Sequence, residues 1–359
     1  MHSFIEKSAR DLKTCGIICL KWTPDRRLKD RLLELTPVIE LTGDPAASLP
    51  RQFWRALCLC WRCKSALFQG WMYHGCMLAV LFKLLVVSRS QIWWAIHSSG
   101  IVSDGNVFRA GELYSMGLVC RIVGATVIYC GENSESTHVS NWRWPQAQAR
   151  VIKNGIDTGR FVPSAHVYAK IREDHKISKE ALILGYVGRW HPDKDVETLC
   201  RALAIVAAKL PQLVVIFCGN GLDHKNDFFS GAISSIKNAT CICLGEVEDT
   251  SQLMPSFDIL CLSSRREAFP LVLCEALACG VPCIATDVGD CRGIIGSFGR
   301  VVPPGDPQSL AESIVEYAAF LRGEDVARLR VSARNWATEL LDEEKAAHRY
   351  VTLLKATRL

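Results

Sequence analysis

ILCLSSRREAFPLVLCEALACGVPCIAT, residues 259–286, is the stretch that decides the fold. Its two ends, Ile259–Leu262 and Cys283–Thr286, are short uncharged apolar runs of the kind found in strands buried on both faces. Between them Leu271–Cys279 reads as a helix, stopped by Gly280 and Pro282. A strand, a helix and a second strand in so short a span make a crossover unit, which joins parallel strands.

The same alternation extends in both directions. Leu182–Val187, Leu213–Phe217 and Cys241–Leu244 are further strands, and Glu197–Lys209 is a helix that Pro211 ends. Asp306-Pro307 opens another helix, with Asp as N-cap and Pro in the first turn. A doubly wound parallel sheet follows for the C-terminal half. The N-terminal half repeats the theme less cleanly, with strand candidates Gly16–Leu20, Val38–Leu41, Ser65–Phe68, Ile92–Ile96 and Thr126–Cys130. A chain of 359 residues exceeds one ordinary core. The expected fold class is therefore α/β, two Rossmann-like doubly wound domains facing a cleft. Residues 1–165 would form the first and 166–340 the second, with a terminal helix at 341–359 packing back on the first.

Charge divides unevenly between these halves. Residues 1–165 carry 20 Lys and Arg against 12 Asp and Glu, whereas the remainder carries 22 against 25. The basic half suits either an anionic partner, such as a lipid headgroup or a phosphorylated acceptor, or an ordinary solvated surface. Seventeen cysteines with no apolar run near Met1 point to a reduced, cytoplasmic chain. Cys218, Cys241, Cys243, Cys261, Cys274 and Cys283 sit in apolar segments as small hydrophobes. Cys58, Cys60 and Cys63 cluster without a second ligand pair at metal spacing, so no metal site is expected. No stretch approaches the ~20 apolar residues of a membrane span. Gly75–Val87 comes nearest, is interrupted by Lys83, and reads as a buried helix.

Ligands of open parallel sheets bind beyond the carboxyl ends of the strands, which directs attention to the loops after Val187, Phe217, Leu244 and Leu262. Arg189 and Lys194 follow the first and precede a helix; two cations beside free helix N–H groups can neutralise a diphosphate. Glu267 and Glu275 bracket the start of the helix after Leu262, where Pro270 leaves backbone N–H groups facing the loop. Carboxylates accept hydrogen bonds from neighbouring hydroxyls, as on a sugar or ribose. Gly219-Asn220-Gly221 lacks the six-residue dinucleotide fingerprint, which weighs against an NAD-binding half. His97, after the strand QIWWAI, is placed to face a cleft, and His74 is a weaker candidate.

In this order and spacing, VIKNGIDTGRF (151–161), GYVGRWHPDKDVETLCRAL (185–203), VIFCGNG (215–221), CLGEVED (243–249) and SSRREAFPLVLCEALACGVPCIATDVGD (263–290) resemble glycosyltransferase family 4. The resemblance covers roughly residues 65–340. It implies the GT-B fold and a retaining, metal-independent glycosyltransferase that needs no cofactor beyond its nucleotide-sugar donor, a UDP- or GDP-sugar. The acceptor would be a glycan or lipid-linked molecule in polysaccharide or glycoconjugate biosynthesis. Arg189 and Lys194 would hold the donor diphosphate, Glu267 the sugar hydroxyls and Glu275 the ribose. The backbone of Phe269, Pro270 and Leu271 would contact sugar and phosphates, Glu246 and Val247 would lie near the base, and His97 would touch the sugar at the reaction centre. Nucleic acid is not expected as a partner; peripheral contact with an anionic membrane surface is. The sequence departs from the family pattern in lacking an early Gly-rich loop, as though the first strand were missing, and in Leu271, Asp195 and Arg292-Gly293. Two other readings stay open. One is a truncated, catalytically inactive sugar-nucleotide-binding protein. The other is an epimerase on the same frame, against which the paired glutamates argue.

Overall fold

The computed structural model describes residues 17–19, 33–34, 36–41, 48–63, 67–86, 90–102, 106–323 and 325–356. The chain divides into two compact units, residues 1–154 with 343–359, and residues 155–342.

In the first unit β1 (Ile17–Cys19) and β2 (Val38–Glu40) form a parallel pair. The segment that would hold a Gly-rich loop after β1, residues 20–32, lies outside the described residues. Strands β3 (Leu67–Trp71), β4 (Gln91–Ile96), β5 (Thr126–Tyr129) and β6 (Ala149–Val151) lie side by side in chain order, all parallel. Right-handed crossovers between consecutive parallel strands put their helices on one face. These are α2 (Met72–Val86), α3 (Val107–Val123) and α4 (Glu132–Trp142), while α1 (Leu49–Cys63) precedes β3. Ile92, Trp94 and Ile96 of β4 pack with Tyr73 and Cys76 of α2 and Leu113 and Met116 of α3. Trp93, on the alternate face, packs with Ile128 and with Ala347 and Tyr350 from the C-terminal helix 343–356. The helix expected to be buried at Gly75–Val87 is only half so. Cys76, Val80 and Phe82 face inward, while Met77, Leu81, Leu84 and Leu85 are exposed. Being apolar all round, it gives no sign in sequence of which side faces the core.

The second unit opens with α5 (Ala165–Asp174) and holds a six-stranded parallel sheet ordered β12-β11-β10-β7-β8-β9. The strands are β7 (Leu182–Val187), β8 (Leu213–Cys218), β9 (Thr240–Gly245), β10 (Ile259–Leu262), β11 (Cys283–Thr286) and β12 (Gly299–Val302). The intervening helices are α6 (Val196–Lys209), α7 (Asp227–Ile233), α8 (Leu271–Ala278) and α9 (Cys291–Ile295). Helices α10 (Pro307–Phe320) and α11 (Val326–Leu340) follow, and α12 (Glu343–Ala356) returns to the first unit. Five of these strands stand where their apolar runs predicted them. β12 and β6 went unread, being short edge strands that each carry an arginine, Arg300 and Arg150. Chain order runs outward from β7 through β8 and β9, then restarts on the other side at β10. Loops leaving β7 and β10 therefore flank the switch point, the position at which such sheets receive ligands.

Gly185 in the middle of β7 makes this packing possible. A Cβ there would stand 2.2 Å from the ring of the fully buried Phe257. We expect Gly185→Ala to destabilise the protein by about 1–3 kcal/mol through overpacking. Gly185→Ala/Phe257→Leu should recover part of that loss, and denaturant midpoints of the two variants would check the coupling.

Candidate active site

The loops after β7 and β10 are joined residue by residue. The Arg265 backbone N–H donates to the Asp193 carbonyl at 2.7 Å, and the Ser263 hydroxyl donates to the Lys194 carbonyl at 2.9 Å. Arg265 Nε donates to Asp195 Oδ2 and Arg266 Nε to Asp193 Oδ1, each at 2.8 Å. At the centre Lys194 Nζ lies 2.5 Å from Glu267 Oε1, which also accepts from Ser264 Oγ at 2.7 Å. Both side chains of this pair are largely buried. Two acids and two arginines on the flanks neutralise one another, so the loops approach without like-charge repulsion.

Asp195 has the left-handed backbone, φ 44°, that favours Gly or Asn. Its carboxylate is held by Arg265 and by Thr198 Oγ1 at 2.8 Å, and it caps α6. These bonds account for an aspartate at a strained position. Gly289, φ 54°, comes so close to the other loop that a Cβ would stand 2.5 Å from the Glu267 carbonyl.

Around this centre the predicted residues sort as follows. Arg189 is exposed just past β7 and Gly188. Trp190 N–H donates to the Asn220 carbonyl at 2.8 Å, and Asn220 Nδ2 donates to Glu246 Oε2 at 3.3 Å. Glu246 is exposed and Val247 half-buried beyond β9, so the loops of β7, β8 and β9 adjoin. Phe269 and Pro270 are buried, Leu271 is exposed, and Pro270 starts α8 without a side-chain cap. Glu275 stands just over a turn along α8, where burial pushes its carboxyl up to about 7 while the Arg160 charge pulls it back.

Arg160 is the residue sequence reasoning missed, although it lies inside the quoted VIKNGIDTGRF. It pairs with Asp249 at 2.8 Å. Arg334 of α11 donates to the carbonyls of Phe161, Thr158 and Ala278, fixing the Arg160 segment against the end of α8. Of two cavities in the second unit, one borders the paired loops at Asp195 and Arg265 and the other lies apart from them. One of about 160 Å³ is lined by Trp190, His191 and Glu197, and one of about 370 Å³ by Arg172, Asp258 and Arg330; neither is lined by Lys194, Glu267 or Glu275.

His97, His74 and their surroundings belong to the first unit. His97 follows β4, its ring stacked on Trp71 at 5.1 Å. Burial lowers its pKa to about 4, and a hydrogen bond with the Asn154 side chain offsets part of that; its Nε2 is buried without a partner. The loop after it is held by α4: Ser134 Oγ donates to the Ser98 carbonyl at 2.5 Å and Trp142 Nε1 to the Gly100 carbonyl at 2.8 Å. Behind that loop His138, fully buried, donates from Nδ1 to the Ser134 carbonyl and accepts from the Tyr73 hydroxyl at 2.8 Å. Nothing in the local sequence distinguished this histidine. His74 is exposed on α2. The cysteines of the second sheet act as core residues; burial pushes Cys261 to about 12 and Cys218 to about 11.

Two Rossmann-like parallel units, with paired loops at the switch point of the second, have the architecture of the GT-B fold. HepE of Anabaena, solved in complex with UDP, aligns with 99% of this chain and 96% of its own at a TM-score of 0.80 and 19% identity. A glycosyltransferase from Rickettsia africae aligns with 99% and 93% at 0.80 and 16% identity. Residues 167–334, all within the second unit, match the family glycosyl transferases group 1. Among curated relatives, N-acetyl-alpha-D-glucosaminyl L-malate synthase of Bacillus anthracis is 25% identical over 282 residues, 77% of this chain and 70% of that protein. D-inositol 3-phosphate glycosyltransferase of Kribbella flavida is 26% identical over 234 residues, and the match spans about half its length, 53%.

The raised Glu275 carboxyl has a thermodynamic consequence. Its folded value, about 7, exceeds the ordinary 4.5 of the unfolded chain, so the native state holds the proton more tightly. The resulting penalty is absent below pH ~4.5, grows through the interval and is complete above pH ~7. We expect Glu275→Gln to raise thermal stability at pH 8, by about 3 kcal/mol at most, and to leave it unchanged at pH 4. Calorimetry at the two pH values checks this.

Proposed function

We propose that the protein is a retaining glycosyltransferase that moves a hexosyl group from a nucleoside-diphosphate donor to a glycan or lipid-linked acceptor in polysaccharide or glycoconjugate synthesis. The observation that carries the reading is the Lys194–Glu267 contact at 2.5 Å beside the uncapped start of α8. It joins one cation for a leaving diphosphate to one carboxylate for sugar hydroxyls. Arg189 supplies the second cation, and charge fixed where the diphosphate develops it lowers the barrier without a metal ion. Glu275 accepts the ribose hydroxyls, and the buried surroundings that raise its pKa strengthen those bonds. Arg160, by stabilising the Glu275 carboxylate, keeps it ready to accept. Phe269–Leu271 offer backbone groups to sugar and phosphate, and Glu246 and Val247 flank the base. His97, neutral at physiological pH, contacts the transferred sugar. UDP in the HepE complex supports a uridine-diphosphate donor. The reading places the enzyme in the cytoplasm, in peripheral contact with the inner, anionic face of the membrane.

A thermal-shift panel of UDP-, GDP- and ADP-sugars tests donor binding, because a ligand stabilises the fold by mass action. Lys194→Ala and Glu275→Ala should each weaken donor binding about tenfold or more, the worth of one charge-assisted hydrogen bond. His97→Ala should lower turnover more than donor affinity. Transfer unaffected by chelator, with the anomeric configuration of the product read by NMR, checks the metal and the stereochemistry. If the three variants bind and transfer as the parent does, the assignment of these residues fails; donor binding with neither transfer nor hydrolysis would mark an inactive binding protein.

A further inference from the structure

The strongest departure from an ordinary protein surface lies on the first unit. Helices α1 and α2 pack through Phe53 and Phe82, ring centroids 5.2 Å apart, and α2 and α3 share one face of the sheet. Their outward sides are apolar where a solvated helix would be polar. On α2, Met77, Leu81, Leu84 and Leu85 form one stripe, with Leu84 74% exposed. On α3, Tyr114, Leu118 and Ile122 recur every four residues, Ile122 74% exposed, and Phe108 near its start is 93% exposed. On α1, Trp54 and Trp61 stand two turns apart, 64% and 62% exposed. Large apolar side chains exposed in such number on three helices of one unit mark a contact with a partner or a membrane.

Charge selects between them. Helix α1 exposes Arg51, Arg55 and Arg62 along the border of its tryptophans and contains no acid. Helix α2 contains Lys83 and no acid. Helix α3 adds the exposed Arg121, and its one acid, Glu112, is taken by Arg109 at 2.5 Å. Apolar stripes edged by unneutralised cations, with tryptophans at the border, are the composition of a surface that lies in the headgroup region of an anionic bilayer. Among the described residues no helix is long and apolar enough to cross a membrane, so the helices would lie in the plane rather than span it.

We propose that the outward face of α1, α2 and α3 docks on an anionic lipid bilayer. Trp54 and Trp61 sit at headgroup level, the stripes of α2 and α3 enter the acyl boundary, and Arg51, Arg55 and Arg62 contact lipid phosphates. This deepens the function proposed above by naming the surface through which a lipid-linked acceptor would be met. It rests on that reading for the acceptor alone, and the docking stands on the surface itself.

The full chain is floated with vesicles of phosphatidylcholine alone and of phosphatidylcholine mixed with phosphatidylglycerol. Binding to the mixed vesicles that weakens with salt is the expected result. Trp54→Ser/Trp61→Ser should lower partitioning, and Arg51→Gln/Arg55→Gln/Arg62→Gln should lower it by about 100-fold at low salt. Both variants should keep the thermal shift produced by donor, which reports an intact fold; a donor panel that fails while flotation succeeds would fault the proposed function and leave the docking standing. The proposal is overturned by no flotation, by equal flotation with neutral vesicles, or by variants that float like the parent. It is also overturned if light scattering finds a dimer that Trp54→Ser/Trp61→Ser turns to monomer, since the face would then join two copies.

Discussion

The seam between the loop after β7 and the loop after β10 is the constraint on which the candidate site depends. Neither loop has regular structure beyond one short 3-10 turn, Pro192–Lys194, so each needs partners to hold a single conformation. They supply them to each other. Backbone and hydroxyl bonds set the register, and the crossed pairs Asp193 with Arg266 and Asp195 with Arg265 fix it against sliding. One exposed ion pair contributes little; a set sharing two short segments restrains both, because ordering one pair pre-orders the next. Lys194 and Glu267 then meet without either loop having to search for the other, and a ligand binding there would not bear the cost of ordering them.

The seam also separates charges by role. The flanking acids and arginines are consumed in structure, whereas Arg189 remains exposed and Glu275 stands in surroundings that resist its ionisation. A carboxylate held partly desolvated costs stability, and its retention on the inner side of α8 is the kind of local expense that functional sites carry. Arg160 moderates that expense from a separate segment, itself anchored by the three carbonyl bonds of Arg334. The centre of the candidate site thus draws on three pieces of chain, 158–161, 189–195 and 263–275, each pinned by an arginine engaged with protein groups.

Much of the second unit was legible in its sequence because its strands are buried on both faces and read as uninterrupted apolar runs. β7, β10 and β11 fall where Leu182–Val187, Ile259–Leu262 and Cys283–Thr286 put them. Lys194 and Glu267 were each picked out in a loop that follows a strand, and the strand order brings those two loops to the switch point. Arg160 escaped notice because it lies far from any strand end, in a loop whose position is set by α11. Asp195 looked like a departure from pattern until its left-handed backbone and buried carboxylate supplied the reason for a short polar side chain. His138 could not be found from sequence: its partners Tyr73 and Ser134 come from two other places in the chain, and only the fold brings them together.

The first unit resists the same method for a physical reason. Hydrophobic periodicity identifies a core face by contrast with a polar one, and α2 offers no contrast: Val80, packed with β4, and Leu84, turned outward, are both aliphatic. Length and Lys83 argued against a span, burial was then the remaining inference, and it accounts for only the side bearing Cys76, Val80 and Phe82. A helix apolar on every side that neither crosses a bilayer nor fills a core is stable against a partner protein or at the boundary between water and acyl chains. The arginines beside Trp54 and Trp61 would be costly within a protein core and favourable at that boundary, so charge placement, rather than hydropathy, distinguishes the outer face of this unit from an exposed core.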